Sequence, residues 1–369
     1  MVLKKKNKNP AVFSHEFFIQ NHADIMSCVA MLVIIGLMFE ATADVAFSFI
    51  TLQHNVTEDG TEGVTLYQYG RKDLAAVVFY SVIAVVLHAV LQEYGLDKMN
   101  RRLHLSKTKQ SKFNESGQLG LFYCISFFWG AYLLSLEDYI SQPSGLWEGY
   151  PHTNMSSHVK FFFICQIAYW LHALPELYFQ KIKKEDIPRR LQYITLYLAH
   201  ITAAYLLNLH RLGLVLMVLH FLVELIFHAS RLLYYICEAQ QHGFKLWAVF
   251  FVVARLVTLT LSVLTLGFGL GRAENQGVDV AAGNFNTLLI RWSALVAMCL
   301  TQAWMMWHFI NFHLRRWRET LDSSEGWAKR SNGRSRQGRK GSDQENGNVK
   351  AAGSPAPRSK KRKLLSLQE

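Results

Sequence analysis

Residues 212–235 read LGLVLMVLHFLVELIFHASRLLYY. Apolar side chains stand almost all the way around this helix-length stretch, not along one stripe of it. About 20 such residues cross the hydrocarbon core of a bilayer. A soluble helix of the same length would bury one face and keep the other polar. The stretch therefore reads as a membrane span. Working outward, seven more segments share its character: 26–50, 74–94, 119–139, 159–179, 191–208, 247–270 and 288–314. Composition agrees with this reading. The chain has 369 residues, is 51% hydrophobic and has a mean hydropathy of +0.10. Those values exclude a disordered chain, a collagen-like fibre and a small disulfide scaffold. The expected fold is all-α, a polytopic membrane helix bundle of about eight transmembrane helices.

The net charge of +12 would suggest a nucleic-acid partner if it were spread evenly. It is not. Residues 315–369 hold 15 Lys and Arg against 6 Asp and Glu, while the remaining 314 hold 24 against 21. Arg315, Arg316 and Arg318 close the last span, and beyond Thr320 the composition turns to Ser, Gly, Asn, Lys and Arg. Such a segment cannot bury a core, so a disordered basic tail is expected. Its Lys360–Lys363 block would bind polyanions, ribosomal RNA or lipid, without sequence specificity. No specific nucleic-acid partner is implied.

The charges between spans orient the chain. The 95–118 connection carries Lys98, Arg101, Arg102, Lys107, Lys109 and Lys112, and 180–190 carries Lys181, Lys183, Lys184, Arg189 and Arg190. The 140–158 connection has no Lys or Arg. By the positive-inside rule both termini are cytosolic. The first apolar run starts too late for a cleavable signal and reads as a signal anchor. Asn55-Val56-Thr57 is then a lumenal glycosylation sequon, whereas Asn114-Glu115-Ser116 falls on the cytosolic side and is silent. Ahead of the first span, Phe13, Phe17, Phe18 and Ile25 alternate with polar residues. A short interfacial helix capped by Ser14 is expected there.

Ionisable residues inside spans are costly and stand as functional candidates. His220, Glu224 and His228 are spaced i, i+4, i+8 and share a helix face. His172 and Glu176 repeat that spacing around Pro175, beside Gln166. Asn208 and Arg211 sit at the join of the fifth and sixth spans. Glu40, Asp44, His88 and Arg255 are more isolated. Three readings stand for the set: a packing network between helices, an interior face or cavity filled by water or lipid headgroups, and a metal or catalytic site. No zinc-type, Ser/His/Asp or phosphate-loop pattern completes the third, so no cofactor, metal or catalytic residue is expected.

Longer words in the sequence add to this. QNHADI at 20–25, SKFNESGQ at 111–118, AYWLHALPELYFQK at 168–181, KKEDIPR at 183–189, AYLLNL at 204–209, SVLTLGFGL at 262–270 and RRWRE at 315–319 resemble the translocating chain-associated membrane protein family. The resemblance covers about residues 10–320. It implies a non-enzymatic, glycosylated, eight-span protein of the endoplasmic reticulum membrane. Its partners would be the Sec translocation channel, nascent chains with their signal sequences, membrane lipids, and the ribosome through the basic tail. It also implies a TLC domain, shared with ceramide synthases, over about 112–321, after an N-terminal part at 1–111 and before the tail at 322–369. A ceramide synthase-like acyltransferase or a lipid-binding protein is the alternative function. Asn208, Arg211, Gly213 and His220 match the synthases' Lag motif. Phe221 stands where that motif has Asp, and Tyr193 and Ile194 stand near where it has paired histidines.

Overall fold

The computed structural model describes residues 14–57, 65–137, 139, 141–180, 182–237 and 242–337, with backbone alone at 57, 237, 242 and 319–337. Each of the eight expected spans coincides with a helix or with a pair of helices. The amino-terminal helix α1 (His15–Gln20) is capped as its sequence suggests, with the Phe17 N–H donating to Ser14 Oγ at 3.2 Å. Phe13 lies outside the described residues.

The first span is not one helix but two, α2 (His22–Gly36) and α3 (Glu40–Ile50). Phe39 between them is extended, and its carbonyl accepts from the N–H groups of Thr42 and Ala43. The Thr42 hydroxyl donates to the Gly36 carbonyl at 2.7 Å, satisfying an acceptor that the break would otherwise orphan. A run of apolar residues gives no warning of such a break.

Two short strands follow, β1 (Asn55–Thr57) and β2 (Thr65–Tyr67). Helix α4 (Asp73–Val90) continues through a π-helical segment at Leu91–Leu96 into α5 (Asp97–Leu103), which stops at left-handed His104. At the junction the His88 carbonyl accepts from the Leu91 N–H and, at 3.0 Å, from the side-chain amide of Gln118 on α6 (Lys107–Leu136). A third strand, β3 (Met155–Ser156), leads into α7 (Ser157–Phe179), and α8 (Ile187–Leu206) follows with Pro188 in its first turn. Asn208, at φ 56°, makes the tight join to α9 (His210–Cys237). Then come α10 (His242–Ser262), a π-helical segment at Val263–Gly269, the single turn α11 (Leu270–Arg272), and α12 (Leu288–Gln337). The backbone of α12 thus runs past Thr320 into the expected tail. Residues 338–369 lie outside the described residues.

Among the described residues, five helices are long and apolar enough to cross a membrane by length and composition: 73–103, 107–136, 210–236, 243–272 and 288–318. Helices α7 and α8 have the length but dilute their apolar runs with residues such as Lys160, His172, Glu176, Arg189 and Arg190.

The chain divides into two units, residues 1–298 and 299–369. The core of the first unit lies between α6, α7, α8 and α9, where Leu133, Phe162, Phe163, Ile201, Leu214 and Phe221 are buried together. Helix α6 approaches α9 so closely at Gly130 that a Cβ there would meet Val218 Cγ2 at 2.6 Å.

The connections sort into two groups. Strand β2 pairs with β1 on one side and β3 on the other, both antiparallel, with Asn55 opposite Tyr67 and Leu66 opposite Ser156. This sheet, unforeseen in an all-α reading, ties the 51–72 connection to 137–156. At the same end Tyr150 OH donates to the Leu207 carbonyl (2.8 Å), Asn208 Nδ2 to the Gly283 carbonyl (2.8 Å) and Arg211 to the Gly145 carbonyl (2.9 Å). The odd-numbered connections are therefore joined to one another. Elsewhere Glu115 of α6 pairs with Arg190 of α8 and Arg231 of α9, joining residues next to the even-numbered, basic connections.

Candidate functional site

Most of the sequence-selected polar residues fall in three places. The first centres on α9. Helical spacing puts the side chains of His220, Glu224 and His228 in one column, and the other helices supply partners that no spacing reveals. Arg255 of α10 donates from Nη2 to His220 Nδ1 at 2.7 Å. A guanidinium has only donors, so Nδ1 must accept and the proton of neutral His220 sits on Nε2. That N–H donates to Tyr197 Oη of α8 at 2.5 Å, and the Tyr197 and Tyr123 hydroxyls, the latter on α6, share a hydrogen bond at 2.9 Å. Trp170 stacks on Tyr197 with ring centroids 3.7 Å apart, and Tyr123 stacks on His228 at 5.6 Å. The Glu224 carboxylate is 4.0 Å from His220 Nε2 and 4.0 Å from His228 Nε2, beyond hydrogen-bonding range of either. Its side chain keeps 21% exposure.

The second place gathers His172 and Glu176 near the end of α7 with His88 of α4 and His22 of α2. Glu176 lies 3.9 Å from His22 Nε2 and 3.9 Å from His88 Nε2. Gln180 divides its amide N–H groups between Glu176 Oε2 (3.1 Å) and His88 Nε2 (2.9 Å). His88 Nε2 is thereby an acceptor, so this histidine is neutral. His172 Nδ1 bonds the Tyr169 carbonyl, and the His88 and His172 rings lie 5.7 Å apart. His22 stacks on Phe179, and His15 of α1 bonds Tyr178, so the amino-terminal helices sit against this group. Gln166 belongs to neither place: buried, it donates to Ser126 Oγ at 3.0 Å.

Asn208 and Arg211 occupy the third place, at the sheet end. Both reach carbonyls of neighbouring connections, as described above, and Arg211 also covers the Tyr139 ring at 5.5 Å. His152 is packed beside them, its Nε2 2.9 Å from the Glu148 carbonyl and its ring 6.1 Å from His210. Burial, reinforced by nearby Arg211, pushes His152 down to about 4, so it is neutral at physiological pH. Glu40 and Asp44 are exposed on α3.

One polar group escaped the sequence reading. Lys160 of α7 is fully buried, with Nζ 2.7 Å from Asp73 Oδ1, 2.7 Å from the Gln53 carbonyl and 2.6 Å from the Gln68 carbonyl. Asp73 Oδ2 accepts from the Gly70 N–H and from Tyr205 OH, both at 2.8 Å. In sequence both residues look like polar punctuation at span ends.

Among the described residues, no group of three His, Cys, Asp or Glu is placed to hold a metal ion. The α9 group can instead offer hydrogen bonds and compensating charge inside an apolar body, next to an acid that is not committed to a close partner.

A family model described as TLC domain matches residues 112–311. Together with the apolar helices this defines a multi-pass membrane protein of the TLC-domain class. Within that class, the chain is 50% identical over 370 residues to human translocating chain-associated membrane protein 2, covering 98% of this chain and 100% of the relative. Identity to the mouse protein of that name is 53% over 320 residues, 86% of each chain. A sphingosine N-acyltransferase-like protein of Alternaria alternata is 25% identical over 170 residues, 46% of this chain and 39% of the relative. The chain belongs to the translocating chain-associated membrane protein family.

Proposed function

We propose that this protein is a non-enzymatic accessory of protein translocation in the endoplasmic reticulum membrane, placed beside the Sec channel and in contact with signal sequences and nascent membrane segments. The observation that carries the reading is the 50% identity, end to end, with a relative whose name states association with translocating chains. In this reading both termini are cytosolic and the sheet end is lumenal. Asn55 is exposed on β1 at that end, where a glycan would sit. Asn114 lies inside α6 with its side chain bonded to Asn100, a poor acceptor on either side of the membrane. His220, Glu224 and His228 make the interior polar face, and His172 and Glu176 add a second polar group near the end of α7. They offset the cost in lipid of a charged residue on a hydrophobic nascent segment. Asn208 and Arg211 brace the lumenal end of that face, and the basic tail faces ribosome or lipid. The test is site-specific crosslinking of a stalled nascent signal sequence. An adduct to this protein, weakened in Glu224→Gln, is expected. Adducts to the Sec channel alone would sink the proposal.

The second reading, a TLC-type lipid acyltransferase, draws on the distant acyltransferase-like relatives and on the bonded row Arg255–His220–Tyr197–Tyr123. Against it, Phe221 is fully buried in the apolar core where the synthase motif has Asp, and Ile194 is buried in the same core. Ceramide formation by the purified protein, lost in His220→Ala, would establish this reading and displace the first.

A further inference from the structure

Glu115, Arg190 and Arg231 make a cluster whose charges do not balance. Arg190 Nη2 is 3.2 Å from one carboxylate oxygen of Glu115 and Arg231 Nη2 is 3.6 Å from the other. One carboxylate thus serves two guanidiniums. Arg189 adds a third, bonded to Tyr193. The arginines differ in burial. Arg190 and Glu115 are about one-third exposed, but Arg231 is only 7% exposed and its Nε N–H has no acceptor among the described residues. One turn earlier on the same face of α9, His228 is 4% exposed and its Nδ1 is also without a partner. A buried guanidinium held by one long ion pair is costly, and a native fold normally supplies the missing acceptor. An oxyanion with more oxygens to offer than Glu115 would satisfy that donor.

The surroundings say where it comes from. Leu191 beside Arg190, and Leu233 and Ile236 beyond Arg231, are each more than 40% exposed. Free phosphate has no use for apolar neighbours, whereas a lipid phosphate carries acyl chains that cover them. We propose that this cluster binds the phosphate of an anionic glycerophospholipid of the cytosolic leaflet. Its oxygens accept from Arg231 Nε and the Arg190 guanidinium, and its chains lie along the outer surfaces of α8 and α9. Bidentate geometry favours arginine for this task, and the basic connections nearby draw anionic headgroups.

The test is native mass spectrometry of the full-length protein released from phosphatidylcholine nanodiscs doped with phosphatidylinositol. One retained phosphatidylinositol per chain is expected, reduced at least tenfold in Arg190→Gln/Arg231→Gln. Arg190→Gln alone, at a one-third-exposed position that folding tolerates, should reduce it about threefold, so a misfolded double variant would not leave the question open. Unchanged retention in Arg190→Gln overturns the proposal. So does thermal protection by inorganic phosphate equal to that by phosphatidylinositol, which would assign the site to the free ion. No nascent chain is present in this measurement, so its failure leaves the translocation reading standing, and the converse holds.

Discussion

Asp73 and Glu224 are both carboxylates held inside an apolar body, and their surroundings are opposites. Asp73 has an ammonium at 2.7 Å on one oxygen and two donors at 2.8 Å on the other. Glu224 has two imidazoles, each at 4.0 Å. The first arrangement is closed: the ammonium protons of Lys160 are taken up by Asp73 and by two backbone carbonyls of the 51–72 connection. It holds α4, α7 and the strand-bearing loop in one register. The second is open: neither imidazole is within hydrogen-bonding distance of the acid. A closed buried pair fixes structure. An open one stores potential for a partner, and the comparison predicts that the two sites respond differently to the same kind of change.

The largest effect should come from breaking the closed pair. Lys160→Met leaves the Asp73 carboxylate buried and uncompensated, which costs about 3–5 kcal/mol. The thermal midpoint in detergent should fall sharply. Adding Asp73→Asn removes the stranded charge and should recover part of the loss. If the double variant is as damaged as the single, the pair is not the source of the stability.

The same end should be acid-sensitive through His152. Its folded pKa of about 4 lies below the ordinary value of 6.5, so between those values the unfolded chain binds more protons than the folded one. Stability is complete above about pH 6.5 and falls as pH drops towards 4, by up to about 3 kcal/mol over the full window. Melting curves from pH 7 to 5 should show the decline. His152→Asn should flatten it while lowering the plateau through loss of packing. An unchanged slope in that variant would place the acid sensitivity elsewhere.

The row from Arg255 to Tyr123 lies between the two cases, because its bonds are short but its end is near Glu224. Tyr197→Phe removes one hydroxyl from it. The expected cost is about 1 kcal/mol, read as a small drop in thermal midpoint. A loss as large as that of Lys160→Met would mean that the row, not the ion pair, holds the bundle together.

What the sequence revealed divides along the same line. The eight spans were legible because apolar length is a local property, and so was the column His220, Glu224, His228, because helical spacing is local too. The partners were not. Tyr123, Tyr197 and Arg255 come from three other helices, and aromatic hydroxyls in a span carry no mark that distinguishes them from interface anchors. Arg255 and His88 could be noted as ionisable residues in apolar runs but not assigned to different groups. Grouping Asn208 and Arg211 with the interior face followed chain proximity to His220, yet the tight turn at Asn208 puts them among the loops at the sheet end. Asp73 and Lys160 were passed over because a charge at the end of a span usually marks its exit into water. The break at Phe39 depends on a threonine hydroxyl reaching back six residues, which no hydropathy window reads.

The smallest stability effect should come from Glu224, and it is the most telling. Glu224→Gln keeps the size and hydrogen-bonding reach of the side chain and removes its charge. Neither neighbouring histidine is close enough to lose a hydrogen bond. The expected change in stability is therefore below about 1 kcal/mol, no more than the net worth of one hydrogen bond. Crosslinking to a signal sequence that carries a basic residue in its apolar run should nevertheless fall, because the carboxylate is the group that would meet that charge. A large thermal loss with unchanged crosslinking would reverse the assignment: Glu224 would then be structural like Asp73, and the open geometry would mean nothing for binding.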